Sequence, residues 1–171
     1  MNKKFINRQA FAWSPPTESP LQIFAFQKFV SCLMKDGKKQ KAFFLASTAL
    51  DKAFKKLSVQ SKEVNLVSSM NFIVEAVENV RPSVEVRSKK IAGVSRDIPS
   101  LVPPKRGQGI AIRWILDSAR GRKKTSSRTF VDNLADELID AYLKRGIPRQ
   151  KRDLLHKAAS TNRAFLRYRW W

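Results

Sequence analysis

Pro82 does more than any other residue to limit what this chain can fold into. Its ring blocks helical geometry at the residue before it, so the helical run that ends Glu78-Asn79-Val80-Arg81 has to stop there. Val84 and Val86 then alternate with Glu85 and Arg87, the period of a strand with one covered face. Ala92-Gly93 is a turn signal, and Val94, Arg96 and Ile98 can return as a second strand. After Pro103-Pro104 a helix begins that is apolar almost all round. It keeps one charged stripe, Arg113, Asp117, Arg120 and Lys124, at spacings of four, three and four. The expectation is a basic β-hairpin mounted on a buried, Arg-striped helix.

Charge gives that arrangement its meaning. Between Arg81 and Arg128 stand thirteen Lys or Arg against Glu85, Asp97 and Asp117. That leaves +10, half of the chain's net +20, in well under a third of its 171 residues. So large an excess repels itself unless a polyanion balances it, with nucleic acid first and an anionic membrane surface second. No run reaches the roughly 18 apolar residues of a spanning helix. An apolar fraction of 43% is that of a folded protein, and the length suits one domain.

Sites for a reaction are missing. There is no GxxxxGK[ST] loop, no GxSxG elbow and no HExxH, so neither an enzyme nor a cofactor is expected. Gly107-Gln108-Gly109 is only a GxG, and it follows two prolines rather than a buried strand. Cys32 is the only cysteine, which excludes an intrachain disulfide and a Cys cluster for zinc. It lies in an apolar helical run and suits the core. His156 is the only histidine, a poor metal ligand without a partner, and is expected at the surface or facing RNA.

Taken in order, residues 1–20 have no clean period. They read as an extended basic arm carrying Lys3, Lys4 and Arg8, with some resemblance to a transit peptide. Pro15, Pro16 and Pro20 break any helix there. A first helix, Leu21 to Lys35, shows Phe24, Lys28, Val30, Leu33 and Met34 at helical spacing, and Gly37 suits a left-handed cap. A second carries the stripe Ala42, Ala46, Ala49, Leu50, Ala53 and Leu57. A third carries Leu66, Val67, Met70, Ile73, Val74 and Val77. The Arg-striped fourth is expected to end near Gly121, with Arg122-Lys123-Lys124 in a loop. The fifth, near Thr129 to Arg145, sets Asp132, Asp136 and Asp140 on one face, read as solvated or as a contact for a basic neighbour. In the sixth, opened by Pro148, Leu154, Leu155, Ala158 and Ala159 face in, while Arg149, Lys151, Arg152 and Lys157 face out or to RNA. The end, Asn162 to Trp171, alternates cations with aromatics, which can pair phosphates and stack bases.

Several of these segments, in this order, resemble the small-subunit ribosomal protein S-seven family. They are Leu33-Met34-Lys35-Asp36-Gly37-Lys38-Lys39, Ala76-Val77-Glu78-Asn79-Val80-Arg81-Pro82 and Val84-Glu85-Val86-Arg87-Ser88-Lys89-Lys90-Ile91-Ala92-Gly93. Ile98-Pro99, Ala111-Ile112-Arg113-Trp114, Ala119-Arg120-Gly121-Arg122 and Asn162-Arg163-Ala164-Phe165 complete the set. The resemblance implies a mainly α, single domain over 21–171, of about six helices, with a protruding hairpin at about 83–99 between the third and fourth. It implies a structural protein of the small subunit that binds the 3′ major domain of its rRNA and organises head assembly. Neighbouring head and platform proteins would be partners, with tRNA and mRNA near the exit site and no membrane. By motif, Lys35, Lys38 and Lys39 would meet rRNA after the first helix. Arg87, Lys89 and Lys90 would line the hairpin, and Arg113, Arg120 and Arg122 would form the central face. Lys41, Arg81, Arg96, Lys105, Arg106, Lys123, Lys124, Arg149, Lys151, Arg152, Arg163, Arg167 and Arg169 complete the expected rRNA-facing set. The chain departs from the family where Val94-Ser95-Arg96-Asp97 replaces a segment with a tyrosine, so Arg96 adds a cation at the hairpin's return. The terminal Arg169-Trp170-Trp171 is similar to mitochondrial members. It points to the matrix and its ribosome, with bacterial cytoplasm or plastid as alternatives. The rival reading is a non-ribosomal helical protein that binds DNA or RNA.

Overall fold

The computed structural model describes residues 20–60, 69–91, 93–125 and 127–169. It is mainly helical, with one two-stranded antiparallel hairpin between the third and fourth helices. The helices are α1 (Pro20–Leu33), α2 (Lys39–Gln60), α3 (Ser69–Val80), α4 (Pro104–Thr125), α5 (Phe130–Tyr142) and α6 (Ile147–Thr161). Strands β1 (Val84–Ile91) and β2 (Val94–Leu101) form the hairpin, and a 3₁₀ helix, Arg163–Tyr168, follows α6.

The centre of the body is α5, seven of whose thirteen residues are buried, and which packs against α2, α3 and α4. Thr129 caps it, its Oγ1 accepting from the Asp132 N–H, one of the donors a helix start leaves open. Leu134, Ala135 and Leu138 share the core with the alanine stripe of α2, whose Ala46, Ala49 and Ala53 have no exposed surface. Small residues there let the two helices approach closely. Phe72, Ile73 and Ala76 of α3 and Ile112, Ile115 and Leu116 of α4 close the core.

Several expectations are corrected. Pro20 does not end a helix; it opens α1, because a first-turn residue needs no N–H partner. In α1 the buried face is Phe26, Phe29, Val30 and Leu33, while Phe24 and Met34 are exposed. Helix α4 does not stop at Gly121 but continues through Arg122 and Lys123 to Thr125. Leu154 and Ala158 of α6 point outward, leaving Ala159 buried and Leu155 half-buried. The fifth helix ends at Tyr142, three residues early, where Lys144 and Gly146 take positive φ. Leu66 and Val67, expected in the third helix, lie outside the described residues, as do residues 1–19, Trp170 and Trp171.

The hairpin register pairs Val84 with Leu101 and Ile91 with Val94. Val102 donates to the Ser83 carbonyl at 3.0 Å. Every second pair outward from it therefore shares ladder hydrogen bonds, and the pairs between direct their N–H and C=O to the open edges. Pro99 sits opposite Val86 in one of these outward-facing positions, where its missing N–H costs nothing. Ile98, with no exposed surface, anchors the return strand; Gly93 to Asp97 are exposed. The first turn of α4 grips the hairpin's root. A Cβ on Gly107 would lie 3.0 Å from Arg81 Cγ and 3.1 Å from the Pro82 carbonyl, so the glycine is there for close packing.

Candidate nucleic-acid interface

The turn between α1 and α2 gathers the first group of cations. Asp36 and Gly37 both adopt positive φ, and the Lys38 N–H closes the turn on the Lys35 carbonyl at 3.0 Å. This turn and α4 enclose an open hollow of about 350 Å³. Lys35, Lys38 and Lys41 surround it, Arg120 reaches in from α4, and Leu33, Leu45 and Phe130 form its apolar wall. Lys38 contacts Asp36 at 3.4 Å and Arg120 contacts Asp117 at 3.3 Å; both pairs are well exposed. Such pairs hold their members weakly, by about 0–1 kcal/mol, so an incoming anion can take both cations. Among the described residues Lys35, Lys39 and Lys41 form no ion pair.

Arg113 lies two turns before Arg120 on the same exposed face of α4. Its Nε donates to the Gly109 carbonyl at 3.0 Å, and no described carboxylate pairs with it. Lys28 of α1, which sequence reasoning passed over, joins this face by donating to the Lys105 carbonyl. Gly109 lies beside both Arg113 and Lys28, so Lys28, Lys105 and Arg113 form a second cationic group.

At the hairpin root, Glu85 is the hub. It is 8% exposed, accepts from Arg87 at 2.8 and 2.7 Å, and accepts from Arg106 at 2.9 Å. Burial would raise its pKa, but the two guanidinium groups outweigh it and hold the carboxyl below its usual range. Arg81 is likewise paired, with Glu78 at 2.9 Å. Farther out, Lys90 is exposed, and the register sets Lys89 opposite Arg96. Arg96 also lies over the Phe165 ring, 5.1 Å from its centroid, a contact the sequence did not reveal.

Other expected cations have partners within the protein. Arg122, about 200° round the helix from Arg120, faces α5 rather than solvent. Its Nη2 donates to Asp140 at 2.7 Å, and its Nε lies 2.7 Å from Oε1 of fully buried Glu137. That second approach is off-axis, and neither Glu137 oxygen accepts an aligned hydrogen bond. Burial, helped by Asp140 and Asp136 and opposed by Arg122, pushes the Glu137 pKa up to about 7. Lys123 donates to the Arg128 carbonyl at 2.9 Å. Arg149 and Arg152 each donate to the Asn79 carbonyl at 2.8 Å. That carbonyl is in the last turn of α3, where oxygens lack helical partners and the dipole favours cations. Lys151 is exposed, and Lys3, Lys4, Arg8 and the Lys124 side chain lie outside the described residues.

The acidic face of α5 is neither solvated nor offered to a neighbour. Asp132 pairs with Lys52 at 2.6 Å, Asp136 with Lys56 at 2.6 Å and Arg128 at 3.2 Å, and Asp140 with Arg122 and Arg145. Hydrogen bonds from Lys52 and Thr129 bring the Asp132 pKa down to about 2. Lys52 and Lys56 are four apart, as are Asp132 and Asp136, so the two helices zip on one face once α2 lies alongside α5. His156 also faces inward. Its Nε2 accepts the Ser83 N–H at 3.2 Å, and burial, with Arg152 and Arg149 nearby, lowers its pKa. At the C-terminus Arg167 stacks on Tyr168, while Arg163 and Arg169 are exposed.

Two cationic groups on one face of a helical body, a basic hairpin beside them and no metal-ligating cluster among the described residues describe a polyanion-binding scaffold. Residues 3–163 match the family described as Ribosomal protein S7p/S5e. The chain belongs to that family. The S7p/S5e match spans the hollow, the Arg113–Arg120 face and the whole hairpin, so the site lies inside the shared body. The chain is 41% identical over 146 residues to "Small ribosomal subunit protein uS7" of a Nitratiruptor species, covering 84% of this chain and 85% of that one. It is 39% identical over 147 residues to the protein of the same name from Paramagnetospirillum magneticum, covering 86% and 87%. It is 43% identical over 112 residues to "Small ribosomal subunit protein uS7m" of Prototheca wickerhamii, covering 66% of this chain and 50% of that protein. S7p/S5e proteins are structural components and not enzymes.

Proposed function

We propose that this chain is a structural constituent of the small ribosomal subunit, held on the 3′ major domain of its rRNA. The observation that carries the reading is the hollow at the α1–α2 turn, where Lys35, Lys38, Lys41 and Arg120 converge from separate elements. Phosphates close together in folded RNA supply the charge such a cluster lacks, and their neutralisation releases counterions. Arg113, Lys28 and Lys105 extend the contact along α4. The exposed outer half of the hairpin, with Lys90 and Arg96, reaches toward the tRNA and mRNA exit site, and its neighbours are head and platform proteins. Arg122, Arg149 and Arg152, with their protein partners, organise the body rather than the RNA. The basic arm before α1 adds Lys3, Lys4 and Arg8 to the rRNA contact.

We extend the proposal to a mitochondrial ribosome. Likeness to a uS7m protein and the Arg169-Trp170-Trp171 ending support it, although bacterial proteins dominate the relatives. Sedimentation of the tagged protein in organelle lysate, with and without RNase, tests this part. Co-migration with mitochondrial small subunits, lost on RNase treatment, is expected; exclusion from the organelle contradicts it.

The central test reverses Lys35, Lys38 and Arg120 to Glu. Affinity for a transcript of the 3′ major domain is expected to fall by about 100-fold while the helical circular dichroism spectrum is unchanged. Unchanged affinity removes the hollow from the interface. A free DNA-binding protein would instead select duplex DNA over this transcript.

A further inference from the structure

A second concavity, of about 510 Å³, lies on the other side of the hairpin root, between β2, the end of α6 and the 3₁₀ helix. The cationic faces described above do not include it. Three features define its chemistry. The first is an apolar platform: Val84, Ala159, Leu101 and Leu166 line it, with Leu101 72% and Leu166 42% exposed. Two large aliphatic side chains so open to water at one place mark a surface that something covers. The second is charge. Arg163 and Arg169 line the groove, and among the described residues no Asp or Glu does. His156 also lines it, but gives its Nε2 to the Ser83 N–H and is kept neutral by burial beside Arg152 and Arg149. The third is the strand edge. Leu101 stands opposite Val84 in one of the pairs whose N–H and C=O point away from the ladder. A donor and an acceptor sit side by side on the open edge of β2, at a residue that lines the groove.

From these we infer that the groove holds one unstacked nucleotide of the bound rRNA. Its base lies against Leu101 and Leu166, one edge meets the Leu101 backbone donor and acceptor, and its phosphate meets Arg163 and Arg169. Each part of a nucleotide finds its complement here: a flat apolar ring, an edge that both donates and accepts, and a negative charge beside it. The volume lies within the roughly 300–1,000 Å³ of pockets that take small ring-bearing ligands. Folded RNA is read by proteins largely through such splayed bases. The inference rests on the rRNA-binding reading above and adds a base contact to a surface otherwise made of phosphate contacts.

The test uses the full chain with p-benzoylphenylalanine placed at Leu101 and a transcript of the 3′ major domain. Binding is first measured by filter retention, then the complex is irradiated. The inference expects an RNA–protein cross-link at a single nucleotide. A groove-filling Leu166→Trp variant is expected to reduce the cross-link severalfold and the affinity by about tenfold, with the slope of log affinity against log salt falling by no more than about one, because only the displaced nucleotide's own phosphate is lost from Arg163 and Arg169. If the transcript binds but Leu101 does not cross-link to it, the nucleotide site is wrong and the rRNA reading stands. If the transcript does not bind, both fall. In assembled small subunits, a cross-link from Leu101 to another protein, or to residues 170–171 of this chain, gives the groove a different occupant and overturns the inference.

Discussion

Glu137 sits at the middle of α5 with no exposed surface, between Arg122, Asp140 and Asp136. Its pKa of about 7 in the folded chain lies above the ordinary carboxyl value of 4.5, so folding favours its protonated form. The consequence for stability follows from proton linkage. Below about pH 4.5 the group is protonated in both states and costs nothing. As pH rises toward 7 the unfolded chain ionises first, and the native state loses up to about 3 kcal/mol relative to it. Asp132, with its pKa lowered to about 2, acts the opposite way but only below its ordinary 3.8. Between pH 5 and 8 the wild type is therefore expected to lose more in urea midpoint than a Glu137→Gln variant. Parallel pH profiles would contradict that role. Arg149 and Arg152 give a second prediction at this scale. Replacing both with Ala leaves the Asn79 carbonyl without its two charged donors. A destabilisation of roughly 2–4 kcal/mol is expected in urea unfolding, and a loss below about 1 kcal/mol would show that water replaces them readily.

At the scale of the element, the hairpin behaves as two halves. Its root is fixed by Glu85 between two guanidinium groups, by fully buried Ile98 and by the close packing of Gly107. Among the described residues of its outer half, from Arg87 to Asp97, no side chain is fully buried. Deleting Lys90 to Val94 is thus expected to leave the melting temperature within a few degrees and rRNA affinity within about threefold, while impairing exit-site function in reconstituted subunits. A large loss of rRNA affinity would make the tip an anchor. The hairpin and the alanine stripe of α2 were legible in the sequence because their periods are two and about 3.6, and nothing competed with them. The surfaces of α5 and α6 were harder to read. Charge spacing alone could not tell a solvated acidic face from one zipped to Lys52 and Lys56, since that depends on which helix lies alongside. Leu154 and Ala158 continue an apolar period that the structure leaves outside, because Arg149, Arg152 and His156 on the opposite face have fixed partners in α3 and at Ser83. Arg122 was grouped with Arg113 and Arg120 by motif and placed in a loop; only the continuation of α4 to Thr125 gives it a helical angle, and that angle turns it toward α5.

Across the whole molecule, the net charge of +20 is divided rather than uniform. Half of the described acids are matched to cations in this body: the α5 carboxylates along α2 and α4, Glu85 at the hairpin root, and Glu78 with Arg81. Among the described residues, the remaining positive charge lies at the α1–α2 turn, along the exposed face of α4, on the outer hairpin, and around Arg163, Arg167 and Arg169 after α6. A body that settles its own charges internally and leaves these faces positive is suited to hold RNA by its phosphates. The most direct measurement of that claim is the salt dependence of binding between the full chain and a transcript of the small-subunit 3′ major domain, from about 50 to 200 mM monovalent salt. The expected result is a linear fall of log affinity with log salt, steep enough to lose roughly three orders of magnitude over that range, as several phosphate contacts require. Binding that is flat with salt, or absent at its low end, would contradict the account.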